Sequence, residues 1–147
     1  MPIKRHKSLQ PLSRDHHQGL ILAQILKKGA PVYKGMPSTI EGKKEYTLLL
    51  YNSELVRHFK NEEEILFPLV KGKNSEVNKL TEEIINEHRQ INQLIIEVQS
   101  TNELERKLDE LGRLLENHIR KEERELFPKI EKILTEVQLF ELETKLK

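Results

Sequence analysis

Residues 118–128 read His-Ile-Arg-Lys-Glu-Glu-Arg-Glu-Leu-Phe-Pro, and residues 58–68 read His-Phe-Lys-Asn-Glu-Glu-Glu-Ile-Leu-Phe-Pro. Both stretches follow the pattern H-x3-E-E-x2-L-F-P, and they lie 60 positions apart. In an α-helix, residues four positions apart lie one turn apart on the same face, so each stretch presents an imidazole and a carboxylate to one point. This is a metal-ligand spacing. A chain that contains it twice can build a shared, two-fold-like metal centre.

Apolar residues on both sides of these stretches predict two long helices, each with one inward-facing stripe. The earlier helix begins at a capping box over Ser38-Thr39-Ile40-Glu41 and runs to Lys71, and Pro68 predicts a bend near its end. Its stripe consists of Leu48, Tyr51, Leu55, His58, Glu62, Ile65 or Leu66, and Leu69. The later helix is capped by Thr101 or Asn102. Its stripe consists of Leu104, Leu108, Leu111, Leu115, His118, Glu122, Leu126, Ile130 and Ile133.

Two more long helices and a short C-terminal helix complete the prediction. Ser13 caps a helix over residues 14–28, which carries Asp15-His16-His17 and ends at Gly29. Another helix begins near Ser75, and His88 is the only polar member of its stripe. Residues 136–147 form the short helix, in which three apolar residues are available to cover one end of the bundle. These three are Val137, Leu139 and Phe140.

The connections between the four long helices are mostly short, which favours antiparallel neighbours. The sequence therefore predicts an all-α fold, an up-down-up-down four-helix bundle with a short C-terminal helix. At 147 residues the chain fits a single domain over residues 1–147. We expect the metal-binding bundle to occupy about residues 12–134.

Composition excludes several classes of site and partner. There is no cysteine, so disulfides, thiolate metal sites and a cysteine nucleophile are excluded. The net charge of +1 gives no electrostatic reason to expect nucleic acid or a membrane surface as partner. The basic run Lys4-Arg5-His6-Lys7 is interpreted as a solvated tail. Without an apolar leader or a run long enough to span a membrane, the chain is expected to be cytoplasmic.

The buried His and Glu residues favour a metal site. A single His on an apolar stripe is usually a satisfied core histidine, which is the simplest interpretation of His88 alone. Two carboxylates on apolar stripes are different, because an ionised carboxylate is costly to bury unless it is paired or bound to a cation. The alternative is that Glu62 and Glu122 are solvated and that the repeat reflects only a duplicated helical hairpin. Imidazoles together with carboxylates suit iron, manganese or zinc.

The chain resembles the hemerythrin-like family, and specifically its HHE cation-binding branch. The matching segments are Leu12-Ser13-Arg14-Asp15-His16-His17, His58-x3-Glu62, Glu87-His88 and His118-x3-Glu122. The resemblance implies a non-haem centre of two iron ions, although other divalent metals are possible. It implies terminal ligands at His16, His58, His88 and His118, with Glu62 and Glu122 as bridges.

Two of these assignments have alternatives. His16 is preferred to His17 because it directly follows the acidic residue. Oxygen-carrying hemerythrins use a five-residue step to an Asp on the fourth helix, which would favour Glu63 or Glu123 as bridges. The parallel between the two copies favours the four-residue step, which keeps a carboxylate about 40° from its His around the helix.

One departure from the family bears on function. Oxygen-carrying hemerythrins have H-x3-H on the third helix, whereas here His88 is followed four positions later by Asn92. Either one iron keeps an exchangeable position, or another side chain such as Glu63 or Tyr51 completes the coordination. We therefore expect a centre that interacts with oxygen, peroxide or nitric oxide in sensing, storage, detoxification or iron handling. The alternatives are a di-iron oxidase or nitric-oxide-handling enzyme, and a metal-free helical interaction module.

Overall fold

Helices account for all the regular structure in the computed structural model, which describes residues 4–146. We number five helices within this range. Four are long: α1 (Gln10–Leu26), α2 (residues 40–70), α3 (Ser75–Glu97) and α4 (residues 104–133). The fifth, α5 (Glu136–Leu146), is the short C-terminal helix. The predicted all-α class is confirmed, and no strand occurs within residues 4–146.

Most helix ends follow the local signals in the sequence. The Thr39 hydroxyl accepts a hydrogen bond from Gly42 N–H and begins α2, and the Asn74 side chain accepts from Val77 N–H and begins α3. Gly29 and Gly72, which follow α1 and α2, both have φ near +80°, a conformation that favours glycine. The start of α1 was predicted wrongly, because the helix begins at Gln10 and not after Ser13.

The Phe-Pro at the end of each repeat coincides with a π-helical turn. These turns span Glu62–Leu66 in α2 and Glu122–Leu126 in α4. In each turn the N–H of the Phe donates to the carbonyl five residues earlier, at Glu62 or Glu122, instead of four. The disruption expected at Pro68 therefore takes the form of one wide turn, after which the helix continues. A third π turn, Tyr51–Leu55, lies earlier in α2.

Two apolar clusters fill the bundle, and the His and Glu residues of the stripes lie between them in sequence on every long helix. One cluster includes Leu12, Leu66, Ile84 and Leu126, together with residues of α5. The other includes Leu22, Leu55, Ile91, Leu115 and Ile119. The polar residues thus occupy a layer with apolar packing on both sides.

The N-terminal segment and α5 pack differently from the prediction. Arg5 is buried and its guanidinium is paired with carboxylates, and Leu9 is fully buried, so the basic run is not a solvated tail. On α5, Leu139 is buried as expected, but Val137 and Phe140 are exposed. Leu142 takes their place in the apolar cluster. Across residues 4–146, no helix is both long and apolar enough to cross a membrane.

We expect Gly112→Ala to destabilise the protein by about 1–2 kcal/mol, because α1 and α4 approach closely at this residue. An added Cβ would lie 2.9 Å from the Ala23 carbonyl oxygen, which cannot move without shifting α1. The overpacking outweighs the roughly 1 kcal/mol that Ala gains over Gly in a helix. Urea unfolding of the metal-free protein measures the change. Gly19→Ala is the matched control and should be near neutral, because its Cβ meets only the flexible end of Ile119.

The contribution of Glu116 to stability should depend on pH. Contacts with Lys27, Arg120 and Gln24 hold its pKa down at about 2, with the Lys27 bond the largest cause. A carboxyl with a depressed pKa stabilises the fold above its unfolded pKa, and the contribution is lost as pH falls towards 2. The melting temperatures of wild type and Glu116→Gln should therefore differ most above about pH 5 and converge near pH 2–3. A difference that stays constant over this range would contradict the assignment.

Candidate metal centre

Six predicted side chains meet in the polar layer of the bundle. α1 contributes His16, α2 contributes His58 and Glu62, and α3 contributes His88. α4 contributes His118 and Glu122. None of the six is more than 3% exposed, and both glutamates are completely buried.

The six residues form two groups of four that share both glutamates. Cluster A consists of His16, His58, Glu62 and Glu122. Cluster B consists of Glu62, His88, His118 and Glu122. Within each cluster, every residue offers one ligand atom, and these atoms lie within 4.8 Å of one another. Each cluster can therefore surround one ion with two imidazoles and two carboxylates.

The distances between ligand atoms fit coordination of a metal. The Nε2 atoms of His16 and His58 are 3.1 Å apart, and His58 Nε2 lies 3.4 Å from Glu62 Oε1. In cluster B, His88 Nε2 is 3.1 Å from Glu62 Oε1, and His118 Nε2 is 3.0 Å from Glu122 Oε1. Ligands bound at about 2.1 Å to one cation are separated by roughly 3.0–3.4 Å, depending on the coordination geometry.

A carboxylate holds the outer ring nitrogen of every cluster histidine. In each case the Nδ1–H donates to a carboxylate oxygen, which leaves Nε2 facing the centre. The pairs are His16 with Glu123 at 3.0 Å, His58 with Asp15 at 3.0 Å, His88 with Glu63 at 2.6 Å and His118 with Glu87 at 2.8 Å. Such pairing fixes the tautomer and the orientation of a metal-binding imidazole.

These orienting carboxylates were not identified from the sequence. Each one directly adjoins a cluster residue: Asp15 precedes His16, Glu87 precedes His88, and Glu63 and Glu123 follow the two shared glutamates. Adjacent residues in a helix point about 100° apart, so an acid beside a ligand cannot reach the same point but can reach a neighbouring helix. The acidic residue beside four of the six cluster residues, His16, Glu62, His88 and Glu122, was therefore the available signal.

The alternatives considered from the sequence lie outside the two clusters. His17 is exposed, whereas His16 is buried. Glu63 and Glu123 bind Nδ1 atoms at the periphery of the centre. The π turns begin at the shared glutamates, so the segment from each repeat's His to its shared Glu keeps the ordinary α-helical step.

Several buried polar atoms of the centre have no hydrogen-bond partner, and a bound cation would satisfy them. Glu62 Oε2, both carboxylate oxygens of Glu122, and His118 Nε2 are buried without a hydrogen bond. Although His118 Nε2 is near Glu122 Oε1, the angle does not allow a hydrogen bond. Unpaired buried acceptors are costly, so this set of ligands fits a bound cation.

The pKa shifts in the metal-free centre also favour a bound cation. Burial and the neighbouring Glu122 charge raise the pKa of Glu62 well above its ordinary value. Burial opposes protonation of His16, but Glu122 and Glu123 outweigh it and raise its pKa to about 9. Burial, with the nearby charge of His118, lowers the pKa of His88 to about 3. The raised pKa values of Glu62 and His16 mean that both groups hold protons more tightly in the metal-free centre, and metal binding at such sites releases protons.

A groove beside cluster B contains Asn92. The Tyr51 hydroxyl donates to Asn92 Oδ1 at 2.6 Å, so the Asn92 oxygen is engaged by a side chain of α2. The groove has a volume of about 290 Å³. Phe59, which lines it, stacks on the His88 ring with the centroids 4.0 Å apart. Glu63, the other expected candidate for coordination, also lines the groove and binds His88 Nδ1.

Comparison with known proteins identifies the family. The sequence model of the hemerythrin family, described as the hemerythrin HHE cation binding domain, matches residues 13–130. No curated protein and no solved structure matches the chain significantly. The family match covers all six cluster residues and all four orienting carboxylates. Because it spans most of the chain, this protein belongs to the hemerythrin family, as a hemerythrin HHE cation-binding domain protein.

Proposed function

We propose that the protein binds two iron ions and that the resulting non-haem centre interacts with oxygen, peroxide or nitric oxide. The observation that carries this proposal is the sharing of Glu62 and Glu122 by two four-residue clusters. His16 and His58 would hold one ion, and His88 and His118 the other. Carboxylates that lie between two such sites can bridge both metals.

We assign iron because the resemblance to hemerythrin-like proteins implies it, and a ligand set that mixes imidazoles with carboxylates is compatible with iron. Imidazole suits iron, zinc and copper, whereas carboxylate favours harder ions such as manganese. When bound, iron would supply redox chemistry towards small oxygen or nitrogen species. The same set of imidazoles and carboxylates would also accept manganese or zinc.

The chain's own residues orient the ligands and exclude water. Four carboxylates hold the Nδ1–H groups, so with metal bound each neutral imidazole would direct its Nε2 lone pair at the centre. Phe127 stacks on the His16 ring at 5.4 Å, and Phe59 covers His88. The centre is therefore screened from bulk water by apolar groups.

The groove beside cluster B favours a second candidate, an oxidase or nitric-oxide-handling enzyme built on the same centre. Phe59 is the side chain that lies between the groove and the His88 ring. A small neutral molecule that enters the groove would meet this single aromatic side chain before cluster B. Rotation of Phe59 would open the path, and turnover of substrate would distinguish an enzyme from a binding protein.

We also infer that α1 to α4 run alternately up and down. Partners on α1 and α4 support this inference, because Gln24 contacts Glu116 whereas His16 contacts Glu123. As the residue number rises along α1, the number of its partner on α4 falls. The same holds for α3 and α4, whose contacts are Glu97 with Lys107, Glu87 with His118, and Glu76 with Lys129. It also holds for α2 and α3, whose contacts are Tyr51 with Asn92 and Glu62 with His88.

We expect about two metal ions per chain after reconstitution with iron, and at most one after Glu62→Ala or Glu122→Ala. Each substitution removes a ligand from both clusters at once, which is why one change should prevent dinuclear loading. Metal analysis of the desalted protein measures the stoichiometry. A wild-type stoichiometry of one or zero would contradict the dinuclear proposal.

Glu63→Ala and Glu123→Ala are the matched controls for this experiment. Each removes a carboxylate one position further along the helix, which contacts only an Nδ1 atom of the centre. Loss of such an orienting group typically weakens metal affinity about 10–100-fold without removing a ligand. Both variants should therefore still load two ions at saturating iron. If Glu123→Ala empties the centre and Glu122→Ala leaves it full, the bridging assignment on α4 is wrong.

Exposure of the anaerobic iron(II) protein to oxygen should convert it to iron(III), and removal of the gas should not restore the iron(II) spectrum. Each cluster offers four ligand residues, fewer than an octahedral ion takes, and Asn92 is engaged by Tyr51 instead of adding an imidazole. Optical spectra over repeated cycles measure the recovery. Complete recovery over several cycles would instead indicate reversible oxygen carriage. The Glu62→Ala variant, which should not load two ions, controls for iron that is not part of a dinuclear centre.

A further inference from the structure

We propose that Arg5 is a positioning residue for cluster A. It holds Glu123, and through Glu123 it holds His16, so that loss of Arg5 weakens metal binding in cluster A and not in cluster B. This inference rests on the proposed binding of two metal ions. Arg5 lies outside residues 13–130, the range that the family model matches. It contacts none of the six cluster residues and acts through its neighbours.

The Arg5 guanidinium is held against α4 from several sides. Its Nη1 donates to Glu131 Oε1, and its Nη2 donates to the Glu123 carbonyl at 2.8 Å and lies 3.2 Å from Glu123 Oε2. The side chain is only 7% exposed, and its Nε is buried without a partner. A guanidinium that leaves one donor unpaired in the interior must be held by its other contacts, which are charge-assisted and strong.

The π turn makes the Glu123 carbonyl available to Arg5. In an α-helix this carbonyl would accept from the N–H of Phe127, but that N–H donates to Glu122 instead. The next residue is Pro128, which has no N–H to donate. The Glu123 carbonyl therefore lacks a partner within its helix, and Arg5 satisfies it.

Arg5 is connected to His16 through two residues, Glu123 and Phe127. Glu123 Oε1 accepts from His16 Nδ1 at 3.0 Å, while Glu123 Oε2 faces Arg5 and Ser13. The Arg5 guanidinium also lies over the Phe127 ring, 5.6 Å from its centroid, and this ring stacks on His16. Two neighbours of the His16 ring, Glu123 and Phe127, are thus in contact with Arg5.

In cluster B, Lys121 pairs with Glu87, the carboxylate that orients His118, but the carboxylate that orients His88 has no such cation among the described residues. The counterpart of Glu123 in the first repeat is Glu63, which binds His88 Nδ1. The Glu63 side chain is 39% exposed and lines the groove, and within residues 4–146 its ion pair is with His88 alone. The imidazole of His88 is therefore held by a solvated carboxylate, whereas that of His16 is held by a carboxylate clamped between Arg5 and Ser13.

Titration of the metal-free protein with Co²⁺, in competition with a chelator, tests the inference. Cobalt reports binding through its visible spectrum, so no turnover is needed. Arg5→Ala should lower the affinity for one of the two Co²⁺ ions by about tenfold or more and leave the affinity for the other within about twofold of wild type. In a His88→Ala background, cluster A keeps all its ligands, and adding Arg5→Ala should lower the affinity for the remaining ion. In a His16→Ala background, it should not lower the affinity for the ion held by cluster B.

Glu131→Gln is the matched control, because it removes the negative charge of the other partner of Arg5 without touching Glu123. It should loosen the N-terminal segment and leave both Co²⁺ affinities within about twofold. A double substitution tests the route through Glu123: once Glu123→Gln is present, Arg5→Ala should cause little further loss. If Arg5→Ala does not fold, Arg5→Lys makes the same comparison, since one ammonium group cannot replace the guanidinium fork.

Three results would overturn the inference: no loss of Co²⁺ affinity in Arg5→Ala, an equal loss for both ions, or the same loss in Glu131→Gln. Each of these presupposes that wild type binds two ions. Failure of wild type to bind two Co²⁺ ions would instead overturn the proposed function, so the two failures are distinguishable.

Discussion

Burial of two carboxylates in one apolar interior is the constraint on which the rest of this structure depends. Glu62 and Glu122 lie between two apolar clusters, and several of their oxygens have no hydrogen-bond partner. Leaving such charges unpaired would cost several kcal/mol each, so positive charge must reach them as protons or as metal ions. Four imidazoles surround them, and each is fixed by a carboxylate nearer the surface. The polar layer is therefore one electrostatic unit and not a set of separate contacts.

The π turns connect this unit to the backbone. The π turn of each repeat begins at a shared glutamate and is followed by Phe-Pro, whose proline cannot donate a hydrogen bond. From the His of each repeat to its glutamate the helix keeps its ordinary pitch, so His and Glu share a face. Beyond it the wide turn leaves a carbonyl without a partner, and on α4 this carbonyl is the one that Arg5 contacts. The same local feature thus presents a ligand and anchors the N-terminal segment.

The two halves of the centre are similar in sequence but differ in their surroundings. Glu123 is held by Ser13 and Arg5, whereas Glu63 is partly solvated beside the groove. A repeat duplicates the residues within its own helix, but it does not duplicate what packs against them. Functional differences between the two metal positions would therefore arise from α1 and the N-terminal segment, which have no counterpart in the repeat.

The sequence by itself determined the helical class and most helix ends, because these follow from patterns within one helix. Of the six residues that converge, His16 and His88 were assigned through the family resemblance. His58 with Glu62 and His118 with Glu122 were predictable from the four-residue step alone. The tertiary structure decided the contacts between helices. It pairs His16 with Glu123, buries Arg5 and exposes Phe140, because partners more than 100 positions apart, or at a helix surface, depend on packing that local periodicity does not encode.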